Sequence, residues 1–264
     1  MQTFEIQNRY SLKITGDVHT PENPIGVGVV LHGLGGFRQG SGIETLVQVL
    51  FENNYIVINF DATNSKGESG GKYEDATLGK HYEDLVDVIS WVKNQDWYLP
   101  KLILTGHSMG AYAVAQYAED YPEDIQGIFP FAPVISGELS FKARERFEPE
   151  KLKSWKETGW FTRVSVSKPG VELALPWSHM EERLNHNLLL KASEIKFPIL
   201  IVVGENDTSC PPDQQQIFLD AIPQNTDKKL RIIKDAPHTF RTPEHLDQLK
   251  NIFDRWLKKI NNQI

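Results

Sequence analysis

The sequence predicts an α/β fold: a mostly parallel central sheet with helices on both faces and one inserted segment. Three observations carry this. Strand-like and helix-like segments alternate over most of the 264 residues, which implies parallel strands joined by crossover helices. Several of the strand segments are almost continuously apolar, as strands covered on both faces must be. The alternation stops at about residue 136 and resumes near residue 190.

The elements follow in order. FEIQN and YSLKITGDV carry β-type residues, and the break at Asn8 and Arg9 suggests a hairpin. IGVGVVLHG, residues 25–33, is a covered strand. GIETLVQVLFENN reads as a helix, YIVINFDA as a strand and TLGKHYEDLVDVISWVKNQ as a long amphipathic helix. LILTGHS is the next strand, MGAYAVAQYAEDY the next helix, and IQGIFPFAP is strand-like again. Residues 136–190 are rich in charge and aromatics with no clean period. They read as a cap inserted into one domain spanning residues 1–264, over the carboxyl ends of the strands. Trp155, Trp160, Phe161 and Trp177 of this segment either line an apolar pocket or anchor the cap to the body. PILIVVGE, DQQQIFLDAI, KKLRIIKDA and PEHLDQLKNIFDRWLKKI then give strand, helix, strand and closing helix.

Composition narrows the partners. Forty per cent hydrophobic and 24% charged residues are ordinary for a soluble domain. A net charge of −7 argues against nucleic acid, whose phosphates need clustered Lys and Arg, and gives no support for docking on anionic membranes. No segment approaches the roughly 20 apolar residues of a membrane span, and the N-terminus has no apolar run that would make a signal peptide. The single cysteine, Cys210, excludes an intrachain disulfide and fits a reducing compartment. The expectation is a cytoplasmic protein with a small-molecule partner; a homodimer is left open.

The chemistry starts at Gly106-His107-Ser108-Met109-Gly110, a G-x-S-x-G pattern between a strand and an alanine-rich helix. So sharp a turn exposes the serine and requires small residues on either side. A hydroxyl becomes a nucleophile only when a base takes its proton, and histidine titrates in the useful range. Of eight histidines, His238 in KDAPHTF follows the last strand and is favoured. His32 ends a strand but suits a structural role, and His107 should point away from the serine. His81 and His245 belong to helices, and His19 to the N-terminal hairpin. The loop VVGENDTSCPP offers Asp207 as the carboxylate that orients the base, with Glu205 as the fallback. Developing oxyanion charge needs pre-aimed donors. The backbone N–H of Met109, at a helix start, and that of Leu34, in the glycine-rich LHGLGG, fit this task. A metal alternative is His179, Glu182 and His186, which would share one helix face; without H-E-x-x-H or a cysteine partner it is not favoured, and no metal is assigned.

Taken together, LHGLGG, NFDATNSKGESGGKYEDATLGKHYEDLVDVISWV, LTGHSMGA, VVGENDTSCPP and KDAPHTF resemble the α/β-hydrolase superfamily, whose chain order is Ser, Asp, His. The likeness is to small bacterial serine esterases of the cinnamoyl (feruloyl) type, with monoacylglycerol lipases as near relatives. Such esterases usually show G-x-G-x-S after the Phe-Asp. Here Asn64 and Ser65 stand where the first glycine is expected, while Gly67 and Ser69 are kept. The resemblance implies acyl transfer to water through Ser108, with His238 as base and then acid, and no cofactor. A monoacylglycerol lipase or a serine peptidase of the same superfamily is the alternative, and a non-catalytic binding protein a more distant one.

Overall fold

The computed structural model describes residues 1–164, 170 and 172–262. The chain opens with β1 (Gln2–Gln7) and β2 (Lys13–His19), paired antiparallel. Their turn is built by Asn8, whose Oδ1 accepts from the N–H groups of Tyr10 (2.9 Å) and Leu12 (3.0 Å). This is the side-chain mimicry that makes asparagine a turn former. There follow β3 (Gly26–Leu31), α1 (Ser41–Glu52), β4 (Tyr55–Phe60), α2 (Leu78–Lys93), β5 (Leu102–His107), α3 (Met109–Asp120) and β6 (Ile125–Phe131). The aperiodic segment forms α4 (Gly137–Phe147), α5 (Pro149–Thr158), the hairpin strands β7 (Trp160–Val164) and β8 (Glu172–Pro176), and α6 (Ser178–Arg183). The chain closes with β9 (Ile199–Gly204), α7 (Pro212–Ala221), β10 (Lys228–Ile233) and α8 (Pro243–Asn261).

Eight strands make one sheet in the order β1-β2-β4-β3-β5-β6-β9-β10. From β4 to β10 all neighbours run parallel, and β2 is antiparallel to both its neighbours. Every residue of β3, β4 and β9 is buried, because helices cover both faces. One core packs α2, α3 and α7 on one face; a second packs α1 and α8 on the other. The edge strand β10 instead carries Lys228, Lys229 and Arg231, charges that discourage further strand pairing. The strand order turns back at β3 and β5. Their carboxyl ends therefore frame a crevice at a topological switch point, where such sheets bind ligands. Among the described residues no helix is long and apolar enough to cross a membrane.

One core residue is costly. Glu119 on α3 is 8% exposed, and its Oε1 has no hydrogen-bond partner. Burial, aided by repulsion from Asp120, pushes its carboxyl up to about 9. The unfolded chain releases this proton near pH 4.5 and the folded chain does not. Stability present below pH 4.5 is therefore lost as pH rises toward 9. At pH 7 the loss is roughly 3 kcal/mol. Glu119→Gln is expected to melt several degrees above the parent at pH 8 and close to it at pH 4.5, by calorimetry at the two pH values.

Candidate active site

β5 ends at His107 and α3 begins at Met109, so Ser108 alone makes the turn. Its backbone sits at φ 57° and ψ −112°, a conformation that a residue with a Cβ adopts only under constraint. Hydrogen bonds from Ser108 N–H to Phe131 O and from Tyr112 N–H to Ser108 O, both 2.9 Å, hold it there. The flanking glycines are required by a close approach of β3. A Cβ at 106 would stand 2.7 Å from Leu31 O, and one at 110 would overlap the carbonyls of Leu31 and His32.

Two loops from other strand ends reach this serine. Asp207 follows β9 and His238 follows β10. His238 Nε2 lies 3.0 Å from Ser108 Oγ, and His238 Nδ1 lies 2.7 Å from Asp207 Oδ2. Asp207 Oδ1 accepts from the N–H groups of Ser209 and Cys210, both at 2.8 Å. Burial works against the charge of Asp207. The attraction of the His238 ring, with these hydrogen bonds, outweighs it and holds the carboxyl below its usual value. An ionised acceptor at Nδ1 fixes the proton there and leaves the Nε2 lone pair facing the hydroxyl. Glu205, the fallback, lies elsewhere: its Oε2 accepts from Asp235 N–H at 2.9 Å on the surface.

His107 lies beside the loop that follows β10. Its ring packs 4.7 Å from that of His238, and its Nε2 hydrogen-bonds His238 O at 2.9 Å. Burial, with the neighbouring His238, brings its pKa down to about 3, so it is a neutral prop under the loop that carries His238. His32 has the structural role expected of it. Its Nδ1 donates to Gly33 O (2.8 Å) and its Nε2 accepts from Ala62 N–H (3.0 Å).

Met109 opens α3, where first-turn N–H groups have no intrahelical partner. Leu34 lies on the loop after β3, which abuts the serine so closely that a Cβ on Gly33 would come within 2.9 Å of Ser108 Cβ. This loop is clamped by Arg38, a residue the sequence did not single out. Its Nε donates to Asp17 and its Nη2 to Glu68, each at 2.8 Å, and its Nη1 pairs with Asp61. Its backbone N–H also donates to Asp61 Oδ1 at 2.7 Å. The departure at Asn64 has a physical reason: the residue sits at φ 59°, a left-handed position that asparagine tolerates in place of glycine. Arg38→Met would strand two buried carboxylates, a cost of about 3–5 kcal/mol. The urea midpoint should fall accordingly.

A cavity of about 440 Å³ opens in front of Ser108. Ser140, Arg144, Arg163, Leu173 and Arg183, from α4, β7, β8 and α6, contribute to its wall. Cys210 also lines it, beside the Ser108 hydroxyl, and burial pushes its thiol well up, so it stays neutral. Of the four aromatics considered, none lines the cavity. Trp155 is 1% exposed, donates from Nε1 to Leu175 O at 3.1 Å, and packs against Phe161 and Trp177; Trp160 is exposed. They anchor the segment rather than form a pocket.

His179, Glu182 and His186 have separate tasks. α6 ends at Arg183, before His186. His179 Nδ1 bonds Ala76 O at 2.6 Å, whereas Glu182 accepts from Leu78 and Gly79 N–H at the start of α2 and from His186 Nε2. Among the described residues no group of three or more His, Cys, Asp or Glu could hold a metal.

An uncharacterized 31.7 kDa protein of the traX-finO intergenic region of Escherichia coli is 24% identical, over 88% of this chain and 90% of its own. Est1E from Butyrivibrio proteoclasticus, solved with ferulic acid bound, superposes with a TM-score of 0.79 at 18% identity, covering 98% of this chain and 99% of that one. Alpha/beta hydrolase domain-containing protein 10 from mouse gives 0.78 at 19%, over 98% and 100%. At these identities the two structures speak for the α/β-hydrolase fold. The family described as serine aminopeptidase, S33 (Hydrolase_4), matches residues 22–242. That match covers most of the chain, which therefore belongs to this family of α/β-hydrolases.

Proposed function

We propose that the protein is a carboxylic ester hydrolase acting through an acyl-enzyme on Ser108. One observation carries the reading: a continuous hydrogen-bond chain from Ser108 Oγ through both ring nitrogens of His238 to Asp207. In this reading Ser108 attacks the ester carbonyl while Nε2 takes its proton. The N–H groups of Met109 and Leu34 stabilise the oxyanion. His238 then protonates the leaving alcohol and activates the water that releases the acid. Residues 136–190 act as the cap over this cavity, and Est1E with its ferulic acid suggests a hydroxycinnamate ester as one substrate to try.

The family's description names aminopeptidases, which must recognise a substrate ammonium. The cavity is poorly suited to one. Among the described residues its wall carries Lys66, Arg144, Arg163, Arg183 and Arg241 and one carboxylate, Glu148, which already pairs with Arg144 at 3.1 Å. A free α-ammonium would meet like charge there.

The test is a panel of p-nitrophenyl acyl esters of rising chain length, with methyl ferulate, set against aminoacyl p-nitroanilides. Esters should be cleaved with kcat/KM at least roughly 100-fold above the anilides. Dominant anilide cleavage would overturn the assignment. A fluorophosphonate probe should label Ser108, and absence of label on intact protein would count against any serine-hydrolase reading.

A further inference from the structure

Within a chain of net charge −7, the one wall that faces Ser108 is strongly cationic. Among the described residues, five basic side chains and one carboxylate line it. Most of these sit at the rim, but Arg183 does not: it is 7% exposed. Its Nη1 donates to Ser140 Oγ at 2.8 Å and its Nη2 to His179 Nε2 at 3.1 Å, while Nε has no partner. Because His179 Nδ1 donates to Ala76 O, its Nε2 is a neutral acceptor. Both partners of Arg183 are thus uncharged. A guanidinium taken out of water is strongly unfavourable unless nearby charge offsets it; the adjoining Glu182 attracts Arg183, but its carboxylate accepts from the N–H groups of Leu78 and Gly79 and bonds His186. Burial, with repulsion from Arg144, brings the pKa of Arg183 down to about 10, so it still carries its charge at neutral pH.

Arg144 faces the same cavity. It stacks over the rings of Trp155 and Phe161, at 5.2 and 5.3 Å, and its Nη1 pairs with Glu148. Arg144, Glu148 and Arg183 together carry one net positive charge (two cations, one anion). A monoanion would balance it. Both guanidiniums also act on the thiol of Cys210, which touches the Ser108 hydroxyl. The two guanidiniums are therefore close to Ser108, not in a remote part of the wall.

We infer that Arg183 and Arg144 form a subsite for a substrate carboxylate, making the preferred substrate an ester whose acyl or alcohol portion carries a second, ionised carboxyl group. Guanidinium forks match a carboxylate in geometry as well as charge, and in a desolvated wall such bonds are strong. A substrate carboxylate in the cavity would accept from both guanidiniums. Arg163 on β7, which donates to Tyr73 OH at 3.2 Å, stands at the exposed side of the same wall, where it would attract the anion during entry. The inference rests on the ester-hydrolase reading for its chemistry, but not for its binding.

Two matched pairs of esters test it and separate the two positions of the charge. Monomethyl adipate against methyl hexanoate places the carboxylate on the acyl side. 4-Carboxyphenyl butyrate against 4-methylphenyl butyrate places it on the alcohol side. Wild type should prefer the charged member by at least about tenfold in kcat/KM in one pair, and that pair identifies the side. Arg144→Met and Arg183→Met should each bring the ratio toward unity. The melting temperature of Arg183→Met is read alongside, because Arg183 also bonds Ser140 and His179. A clear fall in its melting temperature with an unchanged ratio would make Arg183 structural and overturn the subsite. A preference for the neutral member in both pairs would overturn it as well. Binding is read separately by calorimetry of monomethyl adipate and 4-carboxyphenyl butyrate with the Ser108→Ala protein. If either binds there while wild type hydrolyses none of the four esters, the subsite stands and the ester reading fails. If neither binds, the subsite fails whatever the fate of the fluorophosphonate label.

Discussion

Ser108→Ala is expected to lower kcat/KM for every cleaved ester by roughly 10³-fold or more, with no loss of stability. The side chain contributes Oγ to the 3.0 Å bond with His238 and little else to the fold. Alanine keeps the Cβ, so the strained backbone at φ 57° is neither worsened nor relieved. The pair of measurements matters. Activity and fluorophosphonate labelling should vanish together, while calorimetry shows an unchanged melting temperature. Ser108→Gly sharpens the test, because glycine adopts positive φ freely. It should be as inactive as alanine and more stable, by about 1–3 kcal/mol if the strain is of ordinary size. An alanine variant retaining more than roughly a tenth of wild-type activity would remove Ser108 from the chemistry.

Asp207→Asn is expected to cost roughly 10⁴-fold in kcat, about 5.5 kcal/mol of barrier, although the side chain keeps its shape. The reason lies in what already surrounds Asp207. Oδ1 accepts two backbone N–H groups, from Ser209 and Cys210. An asparagine must turn its carbonyl oxygen to those donors, so its NH₂ faces His238 Nδ1. A donor there can bond only an unprotonated Nδ1, which moves the ring proton to Nε2. The base then presents N–H to Ser108 Oγ and cannot take the serine proton. ¹⁵N chemical shifts of the His238 ring should report the exchanged tautomer directly. An asparagine variant that shifts the tautomer without losing activity would refute the role assigned to Asp207.

Much of this was readable from the residues. The alternation of apolar strands with amphipathic helices specified the parallel sheet, since covered strands and crossover helices have distinct periods. Element by element, the predicted strands and helices lie close to the observed ones; for example LILTGHS corresponds to β5, Leu102–His107, and PEHLDQLKNIFDRWLKKI to α8, Pro243–Asn261. Ser108, Asp207 and His238 were legible because each sits at a strand's carboxyl end beside turn-forming residues, and strand ends in such sheets share one crevice. The inserted segment was different. Its α4, α5 and α6 are short, its hairpin β7–β8 lies outside the main sheet, and its order comes from contacts such as Trp155 on Leu175 rather than from a period.

The sequence by itself determined the sheet, the turn at Ser108 and the identity of its two partners, because these depend on local periodicity and on residue types that few backbone conformations accept. Only the tertiary structure decided which charges meet. Arg38 finds Asp17, Asp61 and Glu68, Glu182 caps a helix about a hundred residues away, His107 leans on His238, and buried Arg183 bonds the neutral Ser140 and His179. Such encounters are set by how the layers stack and carry no pattern along the chain. A side chain's charge is written in the sequence; the dielectric around it and the company it keeps are not.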